Sequence, residues 1–174
     1  MINQRLLPPS FAEESTGASE DFFRRLKVLV VEDSAEMQRL LVALLETMGV
    51  TRIVVARDGG KGLAAFAAEC PDIIVTDGAM TPMDGYEMTK AIRASASGDG
   101  ANPDVPILMI SGHVGREEVT HARDQGVTDY LAKPLSAETL YKAIVAAVSK
   151  PIHVVEKPGY RGPSPKRSLD ARRS

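Results

Sequence analysis

The chain has 174 residues, 44% of them hydrophobic, and a formal net charge of −2. This length is sufficient for one domain with a substantial core. No apolar stretch approaches the roughly 18 residues of a membrane span, and the N-terminus lacks the apolar core of a signal peptide. A single cysteine, Cys70, cannot form an internal disulfide. We therefore expect a cytoplasmic protein without membrane insertion.

Charge divides the chain into an acidic body and a basic tail. Residues 151–174 carry six basic and two acidic residues, a net charge of +4, whereas the first 150 residues carry −6. The tail is rich in proline and poor in apolar residues, so it is predicted to be mobile when free. Residues 1–25 form a polar leader in which Phe22 and Phe23 either pack on the domain or mark a short helix. The predicted organisation is an extension over 1–25, a domain over 26–150 and a tail over 151–174.

Between these termini, apolar runs alternate with amphipathic segments. The runs predict strands at Val28–Val31, Ile53–Ala56, Ile73–Thr76, Ile107–Ile110 and Tyr130–Ala132. Apolar residues at spacings of three and four predict helices around Met37–Met48, Leu63–Ala67, Tyr86–Ala94, Glu117–Gln125 and Glu138–Val148. Ser34 is a predicted N-cap of the first of these helices. Five strands alternating with five helices predict a doubly wound α/β fold with a parallel sheet covered on both faces.

Polar side chains stand at the ends of four predicted strands. Glu32 and Asp33 follow the first strand, Asp77 follows the third, Ser111 the fourth and Lys133 the fifth. The carboxyl ends of parallel strands share one edge, where ligands bind in open α/β sheets. Three neighbouring carboxylates repel one another unless a cation neutralises them, and hard oxygen ligands suit Mg²⁺. The sequence therefore predicts an acidic, metal-binding site at this edge.

Each of these residues, taken singly, also has an ordinary structural explanation. Glu32 or Asp33 could cap the following helix, and Ser111 could be a turn residue. Tyr130 could be an ordinary strand residue, and Lys133 a solvated loop cation. Their coincidence at four strand ends favours a common site.

The segment from Lys27 to Lys150 resembles the CheY-like receiver domains of response regulators, which have a flavodoxin-like (βα)5 fold. The resemblance implies that Asp77 accepts a phosphoryl group from a histidine kinase or phosphotransfer protein. It also implies that Glu32, Asp33, Asp77 and the backbone carbonyl of Ala79 hold Mg²⁺.

The same resemblance assigns the remaining residues of the pattern. Ser111 corresponds to the family's switch hydroxyl, Tyr130 to its switch aromatic and Lys133 to its invariant lysine. Pro134 corresponds to a position where the peptide bond is cis. Phosphorylation is then expected to draw in Ser111 and let Tyr130 turn inward, which changes the partner surface beside helix Glu117–Gln125.

An enzyme of another class, a hydrolase that forms a phosphoaspartate on a similar sheet, is the second hypothesis. Such an enzyme would carry a second Asp two places after the nucleophile, where this chain has Ala79, and a lid, of which the sequence has no sign. We therefore expect no enzyme beyond a receiver that catalyses its own phosphoryl transfer and dephosphorylation.

The tail contains an Arg-x-x-Asp unit, Arg167-Ser168-Leu169-Asp170. Its simplest explanation is a solvated basic tail, and nucleic-acid attraction is disfavoured by the acidic body. Arg can, however, pair with guanine and stack on a base. The unit resembles the inhibitory cyclic di-GMP site of diguanylate cyclases, and the chain also resembles the Cle class of CheY-like cyclic di-GMP effectors. That resemblance implies ligand binding by Tyr160, Arg161, Arg167, Asp170, Arg172 and Arg173.

The resulting hypothesis is a stand-alone response regulator that acts as a signalling adaptor. Its expected partners are a histidine kinase or phosphotransfer protein, the flagellar motor switch protein and cyclic di-GMP, but not DNA. It would be recruited from the cytoplasm to the flagellar motor. The alternative is a phosphorelay receiver with an inert basic tail.

Overall fold

The computed structural model describes residues 16–95, 101–112, 115–149, 154–158 and 160–163. The helices are α1 (Thr16–Arg25), α2 (Ala35–Thr47), α3 (Gly59–Glu69), α4 (Gly85–Ala94), α5 (Arg116–Asp124) and α6 (Ala137–Ser149). The strands are β1 (Lys27–Val31), β2 (Arg52–Ala56), β3 (Ile73–Asp77), β4 (Ile107–Ser111), β5 (Asp129–Ala132), β6 (Val154–Lys157) and β7 (Tyr160–Pro163). Within these ranges no helix is both long and apolar enough to cross a bilayer.

Strands β1 to β5 form one parallel sheet in the order β2-β1-β3-β4-β5. This confirms the predicted five-stranded α/β fold. Strand β3 is central and buried along its whole length, as its continuous apolar run predicts. Val31 pairs with Thr76 and Asp77 pairs with Ile110, so the ends of β1, β3 and β4 lie at one edge.

The sheet is covered on both faces because successive side chains of a strand point in opposite directions. Val28 and Val30 pack with apolar residues of α1, α2 and α6. Leu29 and Val31 pack on the other face with residues of α3 and α4. Helix α5 covers the β4–β5 side through Ala122. The helices therefore hold the strand ends in fixed relative positions.

Helix α1 belongs to this core although all of it precedes the predicted domain. Phe22 is 5% exposed and Phe23 is 1% exposed. The ring of Phe23 lies 5.2 Å from that of Tyr141 on α6. Both expectations for the two phenylalanines are confirmed, because they lie on a short helix and pack on the domain.

The prediction of a mobile tail was wrong for the first part of the tail. Val154–Lys157 and Tyr160–Pro163 form an antiparallel hairpin in which Glu156 lies opposite Arg161. The tail lacks the apolar residues for a core of its own, which is why its composition predicted no structure. The hairpin instead packs against α4 and α5 of the domain. Residues 164–174 lie outside the described part of the chain.

A buried arginine holds the turn against which the hairpin packs. Arg93 on α4 is 2% exposed. Its Nε donates to the carbonyl oxygen of Gly126 at 3.0 Å, and its Nη1 donates to those of Pro103 at 2.6 Å and Val105 at 2.8 Å. One guanidinium group therefore satisfies three loop carbonyls and positions the turn after α5.

Two glycines allow β7 to approach this turn closely. Gly162 is buried, and a Cβ placed on it would lie 2.7 Å from the Cα of Gly126. The hydroxyl of Tyr160 lies 3.2 Å from the carbonyl oxygen of Arg123 and 2.7 Å from that of Pro163. The hydroxyl has one proton, so it donates to one of these oxygens at a time.

The glycine contact predicts that Gly162→Ala detaches the hairpin. The added methyl group would collide with backbone at Gly126, which cannot move aside as a flexible side chain can. Faster hydrogen exchange of the hairpin amides, with the exchange of α2 unchanged, is the expected result. Gly60→Ala is the matched control, because its Cβ would meet only a side-chain oxygen of Asp58 at 3.3 Å. Equal exchange in both variants would show that another contact holds the hairpin.

Candidate receiver site

Three carboxylates meet at the carboxyl-terminal edge of the sheet. Glu32 follows β1 and is 1% exposed, and Asp77 ends β3 and is 7% exposed. Asp33 is exposed to solvent. One oxygen from each of the three lies within 4.8 Å of the others. The structure thus brings together the three acids predicted to share a site.

Lys133, directly after β5, is the cation of this cluster. Its Nζ lies 3.2 Å from Oδ1 of Asp77 and 3.5 Å from Oε2 of Glu32. Its backbone N–H donates to the carbonyl oxygen of Ser111 at 2.8 Å, which ties the ends of β4 and β5. Burial alone would lower the pKa of Lys133, but the carboxylates of Asp77 and Glu32 raise it above its ordinary value. The side chain is therefore a stable ammonium group.

Glu32 is the most buried acid of the site. Burial raises the pKa of its carboxyl group, the N–H of Ser34 opposes that rise, and the charge of Asp77 adds to it. Oε1 accepts from Ser34 N–H at 3.1 Å. Oε2 is buried without a hydrogen-bond partner among the described residues. An oxygen so placed, beside two further carboxylates, fits a divalent cation.

Sequence reasoning missed Gln38 in this region. Its Nε2 donates to the carbonyl oxygen of Glu32 at 2.5 Å and lies 3.5 Å from that of Ala56. It thereby supports the backbone that carries Glu32. A polar residue on the first turns of an amphipathic helix gives no sign of this contact, because most such residues face solvent.

The loop after Asp77 is tied to the sheet by its backbone. Gly78 N–H donates to the carbonyl oxygen of Ile110 at 3.2 Å, and Gly85 N–H donates to that of Gly78 at 3.1 Å. The Thr81–Pro82 and Lys133–Pro134 peptide bonds are cis. Only the second was expected from the sequence.

The other predicted residues of the receiver pattern lie in the loop after β3 and on strands β4 and β5. Ala79 is exposed in the loop after β3, and Ser111 is half-buried at the end of β4. Tyr130 is 6% exposed and shares an apolar cluster with Met109 and Ala122. The structure therefore has this ring in a buried position.

Of the residues predicted to bind cyclic di-GMP, Tyr160 is the one whose side chain the structure describes. Tyr160 is half-buried against the turn after α5, which precedes β5 and so lies at the opposite edge of the sheet. Arg161 belongs to β7, and its side chain is not among those described. The remaining four residues lie outside the described residues: Arg167, Asp170, Arg172 and Arg173.

The sequence profile of the response regulator receiver domain matches residues 28–145. The chain belongs to this family. Apart from Lys27 at the start of β1, the matched range holds the five strands of the sheet and every residue of the site. It ends before the hairpin, and it begins after α1.

Similar proteins include chemotaxis proteins of the CheY type. The chemotaxis protein CheY of Pseudomonas aeruginosa is 32% identical over 119 residues, which are 68% of this chain and 93% of the relative. Chemotaxis protein CheY-3 of Vibrio cholerae is 34% identical over 117 residues, 67% of this chain and 87% of the relative. The chain thus contains the receiver domain of a CheY-type response regulator, a signalling domain of two-component systems.

Solved structures show the same fold. CheY4 of Vibrio cholerae superimposes with a TM-score of 0.64 at 30% identity, covering 70% of this chain and 98% of that protein. The receiver domain of a sensor histidine kinase from Pseudomonas aeruginosa has a TM-score of 0.64 at 26% identity, covering 72% of this chain and 98% of that domain. That receiver has a magnesium ion coordinated in its active-site cleft.

Close backbone packing beside Asp77 predicts a large effect of Gly85→Ala. A Cβ on Gly85 would lie 2.1 Å from the carbonyl oxygen of Asp77, so the loop or β3 must shift. Overpacking of this kind lowers the free energy of unfolding by about 1–3 kcal/mol. Urea denaturation followed by circular dichroism would measure it. Gly112→Ala is the control at the same edge, since nothing lies within 4 Å of its Cβ, and equal stability of the two variants would contradict the prediction.

Proposed function

We propose that this protein is a phosphorylatable CheY-like adaptor whose phosphoacceptor is Asp77. The observation that carries the proposal is a buried carboxylate beside both a second buried acid and the ammonium group of Lys133. An oxygen of Asp77 attacks the phosphorus of a phosphohistidine. The bond from phosphorus to the donor nitrogen breaks as the bond to the carboxylate oxygen forms, which leaves an acyl phosphate on Asp77.

Mg²⁺ is the metal proposed for this site. Its ligands would be Glu32, Asp33, Asp77 and the backbone carbonyl of Ala79. Oε2 of Glu32 is buried, accepts no hydrogen bond from the described residues and has only the ion pair with Lys133 at 3.5 Å. This oxygen and the convergence of the three acids support the assignment, as does the magnesium ion in the related receiver. A metal bound there would neutralise charge on the incoming phosphoryl oxygens.

Lys133 and Ser111 would hold the transferred group. The ammonium group of Lys133 is already 3.2 Å from Asp77 Oδ1, so it can follow the phosphoryl oxygens as a point charge. The hydroxyl of Ser111, at the end of β4, can donate to one of them. Phosphorylation would add a charge of about −1.5 to −2 at Asp77. Lys133 and Ser111, at the ends of two neighbouring strands, would stabilise that charge.

The partners follow from the kind of relatives that the chain has. We propose a histidine kinase or phosphotransfer protein as phosphoryl donor and the flagellar motor switch protein as target, with the adaptor acting in the cytoplasm. The chemotaxis relatives support this proposal. The surface beside Tyr130 and α5 is the proposed contact for the target.

Phosphorylation tests the main proposal directly. Asp77→Asn should abolish labelling by acetyl phosphate while the circular dichroism spectrum is unchanged, because only the nucleophile is lost. Glu36→Gln is the matched control, since it removes an exposed carboxyl group on the first turn of α2, and it should be labelled like the wild type. Asp33→Asn should slow labelling and weaken Mg²⁺ binding in a calorimetric titration. Labelling of Asp77→Asn at the wild-type rate would refute the phosphoacceptor.

For the tail we propose cyclic di-GMP as a second ligand, bound through Arg161, Arg167, Asp170, Arg172 and Arg173. The net charge of +4 and the Arg-x-x-Asp unit support this. Tyr160 was expected to stack on a guanine. Its hydroxyl lies against the turn after α5, so only the exposed part of its ring can serve. The alternative remains an inert basic tail.

Alanine variants of two adjacent basic residues distinguish specific cyclic di-GMP binding from non-specific charge attraction. Arg167→Ala should weaken cyclic di-GMP binding by about 1–3 kcal/mol through loss of a bidentate guanine contact. Lys166→Ala removes the same charge from the neighbouring position and should have a much smaller effect. Calorimetry with the full chain measures both. Equal losses would indicate non-specific attraction, and no binding by the wild type would leave the inert tail as the correct hypothesis.

A further inference from the structure

Tyr86, on the first turn of α4, lies against the loop that follows the phosphoacceptor. A Cβ placed on Gly78, the residue after Asp77, would lie 3.2 Å from Cε2 and 3.4 Å from the hydroxyl oxygen of Tyr86. The tyrosine ring therefore occupies the space that a side chain at position 78 would fill. Its side chain is half-buried.

The side chain of Tyr86 also contacts strand β5 and helix α5. It packs against the apolar cluster of Met109, Ala122, Val127 and Tyr130, and its hydroxyl is placed to interact with that of Tyr130 on β5. Its ring centroid lies 4.9 Å from that of His121 on α5, with an interplanar angle of 53°. Tyr86 thus connects the loop beside Asp77, the buried ring of Tyr130 and helix α5.

The protonation of Tyr86 makes its hydroxyl a lasting hydrogen-bond donor. Burial raises the pKa of this phenol, and the hydrogen bond to Tyr130 raises it further. The negative charges of Asp84 and Glu118 act in the same direction. The phenol therefore keeps its proton over the physiological range of pH.

We propose that Tyr86 is a positioning residue that holds Tyr130 inside the β4–β5–α5 cluster. The inference rests on the proposed function, because Tyr130 matters only if Asp77 is phosphorylated and the ring reports it. A change in the phosphoacceptor loop could then affect α5 through Tyr86 as well as through the hydroxyl of Ser111. Tyr86 also favours the buried position of the Tyr130 ring in the unphosphorylated protein, because only the buried ring can make this hydrogen bond. The surface beside Tyr130 and α5 is then biased towards the form that has this ring buried.

Tyr86→Phe tests the proposal, because it retains the ring and removes only the hydroxyl. In the full chain, NMR would follow contacts between the Tyr130 ring and the methyl groups of Met109 and Ala122. Loss of one hydrogen bond should lower the inward-to-outward ratio of Tyr130 about fivefold. Tyr141→Phe is the matched control, since this half-buried tyrosine lies on α6 beside Phe23, and it should leave the contacts unchanged.

A second measurement separates this inference from the function on which it rests. Beryllofluoride with Mg²⁺ should restore the inward contacts in Tyr86→Phe, while labelling of Asp77 by acetyl phosphate stays at the wild-type rate. Unchanged Tyr130 contacts in Tyr86→Phe would overturn the inference and leave the proposed function standing. A wild-type protein that acetyl phosphate cannot label would overturn the proposed function, and with it the switch role of Tyr86.

Discussion

The ion pairs of Lys133 are the interaction on which the rest of this site depends. Glu32 and Asp77 are both almost fully buried, and two such carboxylates repel each other strongly at low dielectric. The ammonium group lies within 3.5 Å of an oxygen on each. Removing one partner of a buried ionic cluster commonly costs about 3–5 kcal/mol. The cluster is therefore a constraint on folding, and the loops after β1, β3 and β5 are positioned around it.

Helix α5 is contacted by two elements from different parts of the chain. On α4, Tyr86 packs on His121, and in the hairpin Tyr160 contacts the backbone of Arg123. A change in the loop after β3 and a change in the hairpin would thus act on the same short helix. If both proposed ligands bind, their effects on α5 give a physical basis for coupling, which must be reciprocal between the two sites.

The elements outside the matched receiver range are joined to it by specific packing. Helix α1 contributes Phe22 and Phe23 to the core. The hairpin reaches the domain through Gly162, at a turn held by the buried guanidinium group of Arg93. The tail that follows position 163 therefore starts from a fixed point on the domain, at the edge of the sheet opposite to Asp77. If the proposed phosphoryl group and the proposed cyclic di-GMP both bind, this separation would place them on different surfaces.

The sequence by itself determined the sheet and the position of the acids. Continuous apolar runs such as Ile73–Thr76 place each strand within a residue of its observed bounds, and the polar residues that follow must then share one edge. Only the tertiary structure decided three contacts. Arg93 binds the carbonyl oxygen of Gly126, and Gly162 packs against the same turn. Tyr86 interacts with Tyr130. Those contacts join residues far apart in the chain, and each depends on a distance or a rotamer rather than on periodicity. The hairpin was missed for the same reason, because it is stabilised by a surface on the domain and not by its own composition.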